Sequence, residues 1–174
     1  GPGPRRVLEL GAGHCATAAA LADRGHRVVA LELSPAKVRD AARLLGRDRP
    51  GSLAVVQGDF YEAVMDGRFD AVCYWDGFGI GGDDDQRRLL SRIAVEWLKP
   101  DGCALIDVAS TWWAMRHAGE VTRLAPLPGV PGSVEMDRCW HYDPLHGRWI
   151  DEWRPVADPA RATNGVANPI SRGK

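Results

Sequence analysis

The chain has 174 residues, 45% of them hydrophobic and 26% charged, with 22 Lys and Arg set against 23 Asp and Glu for a formal charge of −1. That length suits one domain, and the composition excludes disordered, collagen-like and coiled-coil chains. Near-neutral charge argues against gripping a phosphate backbone by bulk electrostatics, and no apolar run approaches the roughly 18 residues of a membrane span.

Residues 6–10 read as a buried strand closed by Gly11. An Ala-rich helix follows from His14 to Arg24, with Gly25 as its stop. Residues 27–31 form a second apolar strand. Ser34 is placed to cap a helix that starts at Pro35 and runs to about Leu45, before Gly46. Residues 53–57 and 69–74 read as strands three and four. From Asp83 to Leu98, apolar residues at Leu89, Leu90, Ile93, Val95, Trp97 and Leu98 recur mostly at helical spacing. Asp83, Asp84 and Asp85 stand at its start, where negative charge complements the helix dipole. Pro100 and Gly102 break the chain before a fifth strand, 103–108. Strands separated by single helices predict an α/β fold with a doubly wound, mostly parallel sheet.

The character changes after Thr111. His117 follows Trp112 and Trp113 on a short helix, and Pro126, Pro128, Gly129, Pro131 and Gly132 form a loop. Two alternating runs, 134–142 and 148–154, flank the turn 143–147 and predict an antiparallel hairpin. The chain is read as one domain over 1–156, with a core at 5–110 and the hairpin at 133–155. Residues 157–174 are read as a loop or mobile tail.

Cys15, Cys73, Cys103 and Cys139 lie far apart, which suits free thiols in a reducing compartment better than a disulfide framework or a zinc site. With no signal peptide in view, a cytoplasmic location is expected. Arg outnumbers Lys 19 to 3, a bias expected of a GC-rich, bacterial source.

The chemistry gathers at the ends of the early strands. Gly11, Ala12 and Gly13 sit at a strand-to-helix turn, where glycine lets backbone approach a ligand and the helix presents free N–H groups. Glu32 ends strand two, about 20 residues on, where a carboxylate can accept both hydroxyls of a ribose. Together they point to a ligand with an adenosine ribose, either NAD or S-adenosylmethionine. Glu9, two residues before Gly11, suits a cationic ligand better than a pyrophosphate. Asp59 and Phe60 follow strand three, where a carboxylate and a ring can hold an adenine.

These residues resemble the class I S-adenosylmethionine-dependent methyltransferases. Residues 9–13, Glu-Leu-Gly-Ala-Gly, match that family's glycine-rich motif, and Glu32 its ribose-binding acid. Gly58-Asp59-Phe60 matches the adenine turn, residues 69–76 the fourth-strand motif, and Leu98-Lys99-Pro100-Asp101-Gly102 the turn before strand five. The resemblance covers residues 5–110 and implies a Rossmann-like fold. It also implies a cofactor framed by Glu9, Gly11, Ala12, Gly13, Glu32, Leu33, Asp59 and Phe60, with Trp75 and Asp76 at the methyl end and no metal. Cys15 stands where the motif has its third glycine. No helix precedes strand one, and the hairpin is either the family's last strand pair or an inserted substrate-covering hairpin. The second alternative, in a truncated chain, is the one expected.

The implied reaction is methyl transfer to an oxygen, nitrogen or carbon nucleophile. His117, His141 and Asp76 are the candidate bases. Six of the seven tryptophans, at 75, 112, 113, 140, 149 and 153, fall where substrate contacts are expected, as packing or as the wall of an aromatic pocket. Residues 74–77 do not match the Asn/Asp-Pro-Pro-Tyr motif of nucleic-acid amino-methylating enzymes. The acceptor is therefore expected to be a small molecule and not nucleic acid or membrane, met by a monomer or homodimer. The alternatives are an NAD-dependent oxidoreductase, a non-catalytic binding module, and a metal-dependent site using Asp76 and Asp107.

Overall fold

The computed structural model describes residues 3–129 and 132–157. They divide into two compact units, one of residues up to 78 together with 84–107, the other of 79–83 together with those from 108 onward.

The first unit is built on β1 (Arg6–Leu10), β2 (Arg27–Glu32), β3 (Ser52–Gln57), β4 (Phe69–Tyr74) and β5 (Leu98–Ile106). Every pairing is parallel, in the order β3-β2-β1-β4-β5. The winding reverses between β1 and β4, so the loops leaving their carboxyl ends diverge and open a crevice. The helices are α1 (Ala16–Asp23), α2 (Pro35–Ala41), which a short 3-10 turn at Ala42–Leu44 continues, and α3 (Asp83–Arg92), which runs into a π-turn at Ile93–Trp97.

Alternation along β1 feeds two cores. Leu8 and Leu10 join Leu31, Phe69, Val72, Tyr74, Leu89, Ile93 and Trp97 in one cluster. Val7 joins Ala18, Ala22, Val28, Ala30 and Cys73 in the other. The large, fully buried side chains of the first cluster each contribute roughly 2 kcal/mol. The second is lined by alanines, whose small side chains allow α1 to approach the sheet closely.

Three boundaries move for physical reasons. Helix α1 starts at Ala16 and not at His14, because Gly13 and Cys15 take left-handed conformations. The expected helix over 83–98 keeps Leu89, Ile93 and Trp97 buried but leaves Leu90 and Val95 exposed, and its last turn widens into the π-turn. Pro100 and Gly102 lie inside β5 instead of before it. The pairing jumps from Phe69↔Leu98 to Ala71↔Cys103, so an irregularity absorbs the extra residues. β5 is an edge strand, where a residue without an N–H is tolerated.

The second unit holds α4 (Thr111–His117), capped by Ser110 Oγ accepting the Trp113 N–H, and a sheet of β6 (Val121–Leu124), β7 (Met136–Asp143) and β8 (Arg148–Pro155). Its order is β6-β7-β8 and its pairings are antiparallel. The expected hairpin is therefore present, but in its own sheet: it is not the last strand pair of the parallel sheet. β6 was not foreseen, because Val121, Thr122 and Arg123 are all exposed and show no alternation. Val130, Pro131 and the expected tail from 158 to 174 lie outside the described residues.

Candidate functional site

The turn after β1 is shaped by glycine. Gly11 and Gly13 have φ of 58° and 57°, a region that a side chain resists. A Cβ on Gly11 would also reach within 3.4 Å of the Tyr74 ring. The Ala12 N–H donates to the Leu31 carbonyl at 3.1 Å, tying the turn to β2. Cys15 closes the turn with φ of 59°, fully buried and making no side-chain cap for α1. A non-glycine residue there costs about 1–2 kcal/mol, so the family's third glycine has been replaced at a position whose backbone still calls for one.

Glu32 is buried at the end of β2, and both its oxygens are engaged. Oε2 accepts the Gly13 N–H at 2.7 Å and Oε1 accepts the Ser34 N–H at 2.9 Å. The carboxylate thus fastens the β1 turn to the start of α2, with an acceptor lone pair left on each oxygen. That is the arrangement a vicinal diol needs. Leu33, beside it, is exposed.

After β3, the Asp59 Oδ1 accepts the Tyr61 N–H at 2.8 Å, and its carbonyl accepts from Glu62 and Ala63. Phe60 is partly buried, edge-on to Tyr61 at 4.7 Å and to Tyr74 at 5.4 Å. Arg92 pins the segment from below by donating to the carbonyls of Phe60 and Ala63. After β4, Trp75 is partly exposed and Asp76 has φ of 51°. The Asp76 N–H donates to Asp107 Oδ1 at 3.2 Å. Among the described residues no three His, Cys, Asp or Glu side chains are grouped to hold a metal ion.

Glu9 is only 3% exposed. Burial pushes its carboxyl up to about 7, partly offset by the backbone N–H of Ala18. Its Oε2 is buried with no hydrogen-bond partner. Sequence reasoning missed a further pair. The Tyr74 hydroxyl donates to the Gly77 carbonyl at 2.6 Å, and a Cβ on Gly77 would lie 2.6 Å from the Tyr74 ring. Burial pushes the Tyr74 phenol well above its usual range. The Trp-Asp-Gly run after an aromatic strand end was the only available signal.

The candidate histidines belong to the second unit. His117 Nδ1 donates to the Trp113 carbonyl at 2.7 Å, and its ring stacks on Trp113 at 4.0 Å, which leaves Nε2 as the basic nitrogen. His141 Nε2 lies 3.0 Å from Glu152 Oε2. Glu152 also accepts from Arg154 at 2.5 Å, and Arg154 first, then His141, holds its carboxyl below the usual range. Trp113, Trp140 and Trp149 pack with centroids 4.3–5.4 Å apart. Arg138 lies over Trp140 at 3.8 Å and Trp153 at 5.0 Å.

A family model described as a methyltransferase domain matches residues 7–102. The chain is 32% identical over 118 residues to a cypemycin N-terminal methyltransferase of a Streptomyces species, covering 67% of this chain and 46% of that protein. It thus spans about half the length of the curated relative it matches. Among solved structures, the CcbJ methyltransferase from Streptomyces caelestis is similar with a TM-score of 0.66 at 21% identity, over 88% of this chain and 62% of that one. The glycopeptide N-methyltransferase MtfA complexed with S-adenosylmethionine is similar with a TM-score of 0.59 at 24% identity, over 92% and 74%. CalS10, an amino pentose methyltransferase from Micromonospora echinaspora bound to the same compound, gives 0.62 at 21%, over 88% and 64%. At these identities the structural likeness is one of fold.

Proposed function

The chain belongs to the class I S-adenosylmethionine-dependent methyltransferases, and from that premise we propose that it methylates a small molecule, with an amine as the acceptor. The observation that carries this reading is the Glu32 carboxylate, held by the N–H groups of Gly13 and Ser34 with lone pairs to spare. The residues fit the cofactor in three further ways. Positive φ at Gly11 and Gly13 leaves a cradle without side chains. Asp59 and Phe60 offer an acceptor and a ring edge. The buried Glu9 carboxyl suits a cation.

When bound, S-adenosylmethionine supplies a methyl group on a positively charged sulfur, open to in-line attack. The first unit's part is to orient that group, with Leu33 beside the ribose acid and Trp75 and Asp76 toward the methyl end. The candidate bases are His141, His117 and Asp76. His141 is the best oriented of them, because Glu152 fixes one ring nitrogen and leaves the other to meet an acceptor's proton. The tryptophans offer a wall for a flat or apolar acceptor. Amines are preferred because two relatives are named for N-methylation, of the cypemycin amino terminus and of a glycopeptide. The same names, with the Arg-rich composition, suggest secondary metabolism. No helix among the described residues is long and apolar enough to cross a membrane. A cytoplasmic monomer or homodimer without nucleic-acid partners completes the reading.

Calorimetric titration with S-adenosylmethionine, its demethylated product and NAD tests this directly. Micromolar binding of the first two and none of NAD is expected. Glu32→Ala is expected to weaken both by about 100-fold, the worth of two charge-assisted hydrogen bonds, while circular dichroism stays unchanged. Unchanged affinity in a folded variant would overturn the ribose assignment. NAD binding in place of the others would return the chain to the oxidoreductases.

A further inference from the structure

We propose that Glu9 makes the site prefer the positively charged methyl donor over its uncharged demethylated product, by giving up a proton when the donor binds. This role rests on the reading that the first unit holds S-adenosylmethionine.

Glu9 lies in the interior of β1, paired in register with Ala30 on one side and Cys73 on the other. It faces the alanine-lined core under the amino end of α1, two residues before Gly11. One side of its carboxyl is met by the Ala18 backbone N–H, while Oε2 has no partner. The titratable groups around it are Cys15 from the α1 end, Cys73 from β4 and, further along β2, Glu32. Burial pushes both thiols up to about 11, so they stay neutral, and Glu32 is another acid. Among the described residues no cationic side chain pairs with Glu9. A buried carboxylate without a counter-charge is costly. The group's raised affinity for its proton agrees with that geometry.

Two things can relieve such a carboxylate: a proton, or a cation arriving from outside. The two forms of the cofactor differ in just this respect, since the donor carries a sulfonium charge and the product a neutral thioether. As the donor binds, the Glu9 O–H bond breaks, its proton passes to solvent, and the carboxylate left beneath the glycine turn balances the incoming positive charge. Once the methyl group has left, the charge is gone. The carboxylate then takes a proton back and no longer holds the product more tightly than a neutral carboxyl would. A carboxyl serving only as a cap for α1 would show no such distinction between ligands.

The test is titration calorimetry on the whole chain with donor and product, at pH 6, 7 and 8, in two buffers of different ionisation enthalpy. The expected result is release of about half a proton per donor bound at pH 7, and a donor-to-product affinity ratio that rises about tenfold from pH 6 to 8. Product binding is expected to release none from this group. Glu9→Gln is expected to abolish the release and flatten the ratio. The amino-acid portion is common to both ligands, so its own titration cancels in the ratio and is subtracted by the variant. If Glu9→Gln fails to fold, the wild-type proton count decides alone. Equal release with donor and product, no release, or an unchanged ratio in the variant would overturn the role. Absence of binding by either ligand fails differently, since no proton count exists: it overturns the cofactor reading and this role with it.

Discussion

The two units are stabilised by different means. The parallel-sheet unit buries its three central strands on both faces, with Leu8, Leu10, Val72 and Ala30 fully enclosed, and ties its loops with backbone groups and with the carboxylates of Glu32, Asp59 and Asp107. The three-stranded unit encloses little: of its described residues only Ala114, Cys139 and Trp140 are buried hydrophobics. It relies on side-chain pairs across the sheet, such as Arg123 with Asp137, Arg138 with Asp151 and His141 with Glu152, and on packed tryptophans, Trp113 edge-on to Trp140 and both tilted against Trp149. In the first unit a buried charge, at Glu9 and Glu32 among the described residues, is therefore an exception that asks for a function. In the second, charges are part of the fastening.

The largest test of that contrast is pH. Glu9 binds its proton more tightly when folded, near 7, than its ordinary 4.5. The folded state thus holds the extra proton between those values. Its contribution is most favourable below about 4.5 and is lost as pH rises through about 7. The shift corresponds to about 3 kcal/mol. Urea midpoints measured from pH 5 to 8 are expected to fall for the wild type relative to Glu9→Gln, and a constant difference would show that burial is not felt. A smaller effect is expected in the second unit. Arg138 makes two-pronged contact with Asp151, at 2.6 and 2.9 Å, between two indole rings. Arg138→Met is expected to cost about 1 kcal/mol, seen as an earlier urea transition in tryptophan fluorescence. A loss of several kcal/mol would mean that this pair bears weight as a core does.

The same contrast explains what was legible. The first unit's central strands follow from apolar runs, because burial on both faces writes itself into composition. The order Gly11-Ala12-Gly13 followed by Glu32 could be read because positive φ and the proposed ribose contact each call for a particular residue type. Gly77 against Tyr74 could not be read, since a close approach between a ring and a backbone leaves no periodic trace. β6 was illegible because its residues are exposed, and only the pairing with β7 makes it a strand. The hairpin was visible from alternation, but its membership of a separate sheet depends on long-range pairing that alternation does not encode. How Glu9 would act was half legible: the sequence showed an acid before the glycines, and only burial showed that it lacks a partner.

A matched pair of cysteine substitutions gives the finest comparison, because Cys15 in the first unit and Cys139 in the second are both buried but sit in different backbones. Among the described residues, Cys15 and Asp76 are the non-glycine positions with positive φ, so Cys139 in β7 has no such strain. In Cys15→Gly, relief of about 1–2 kcal/mol of left-handed strain opposes two losses. One is the buried thiol's packing, and the other is the added freedom of glycine in the unfolded chain. The terms nearly cancel, and a net change under about 1 kcal/mol is expected. Cys139→Gly suffers both losses with no relief, and about 2 kcal/mol is expected. Urea unfolding followed by far-ultraviolet circular dichroism measures both. Equal losses would mean that the turn before α1 relaxes to suit its cysteine, and that the third glycine has been dispensed with at no cost to the backbone.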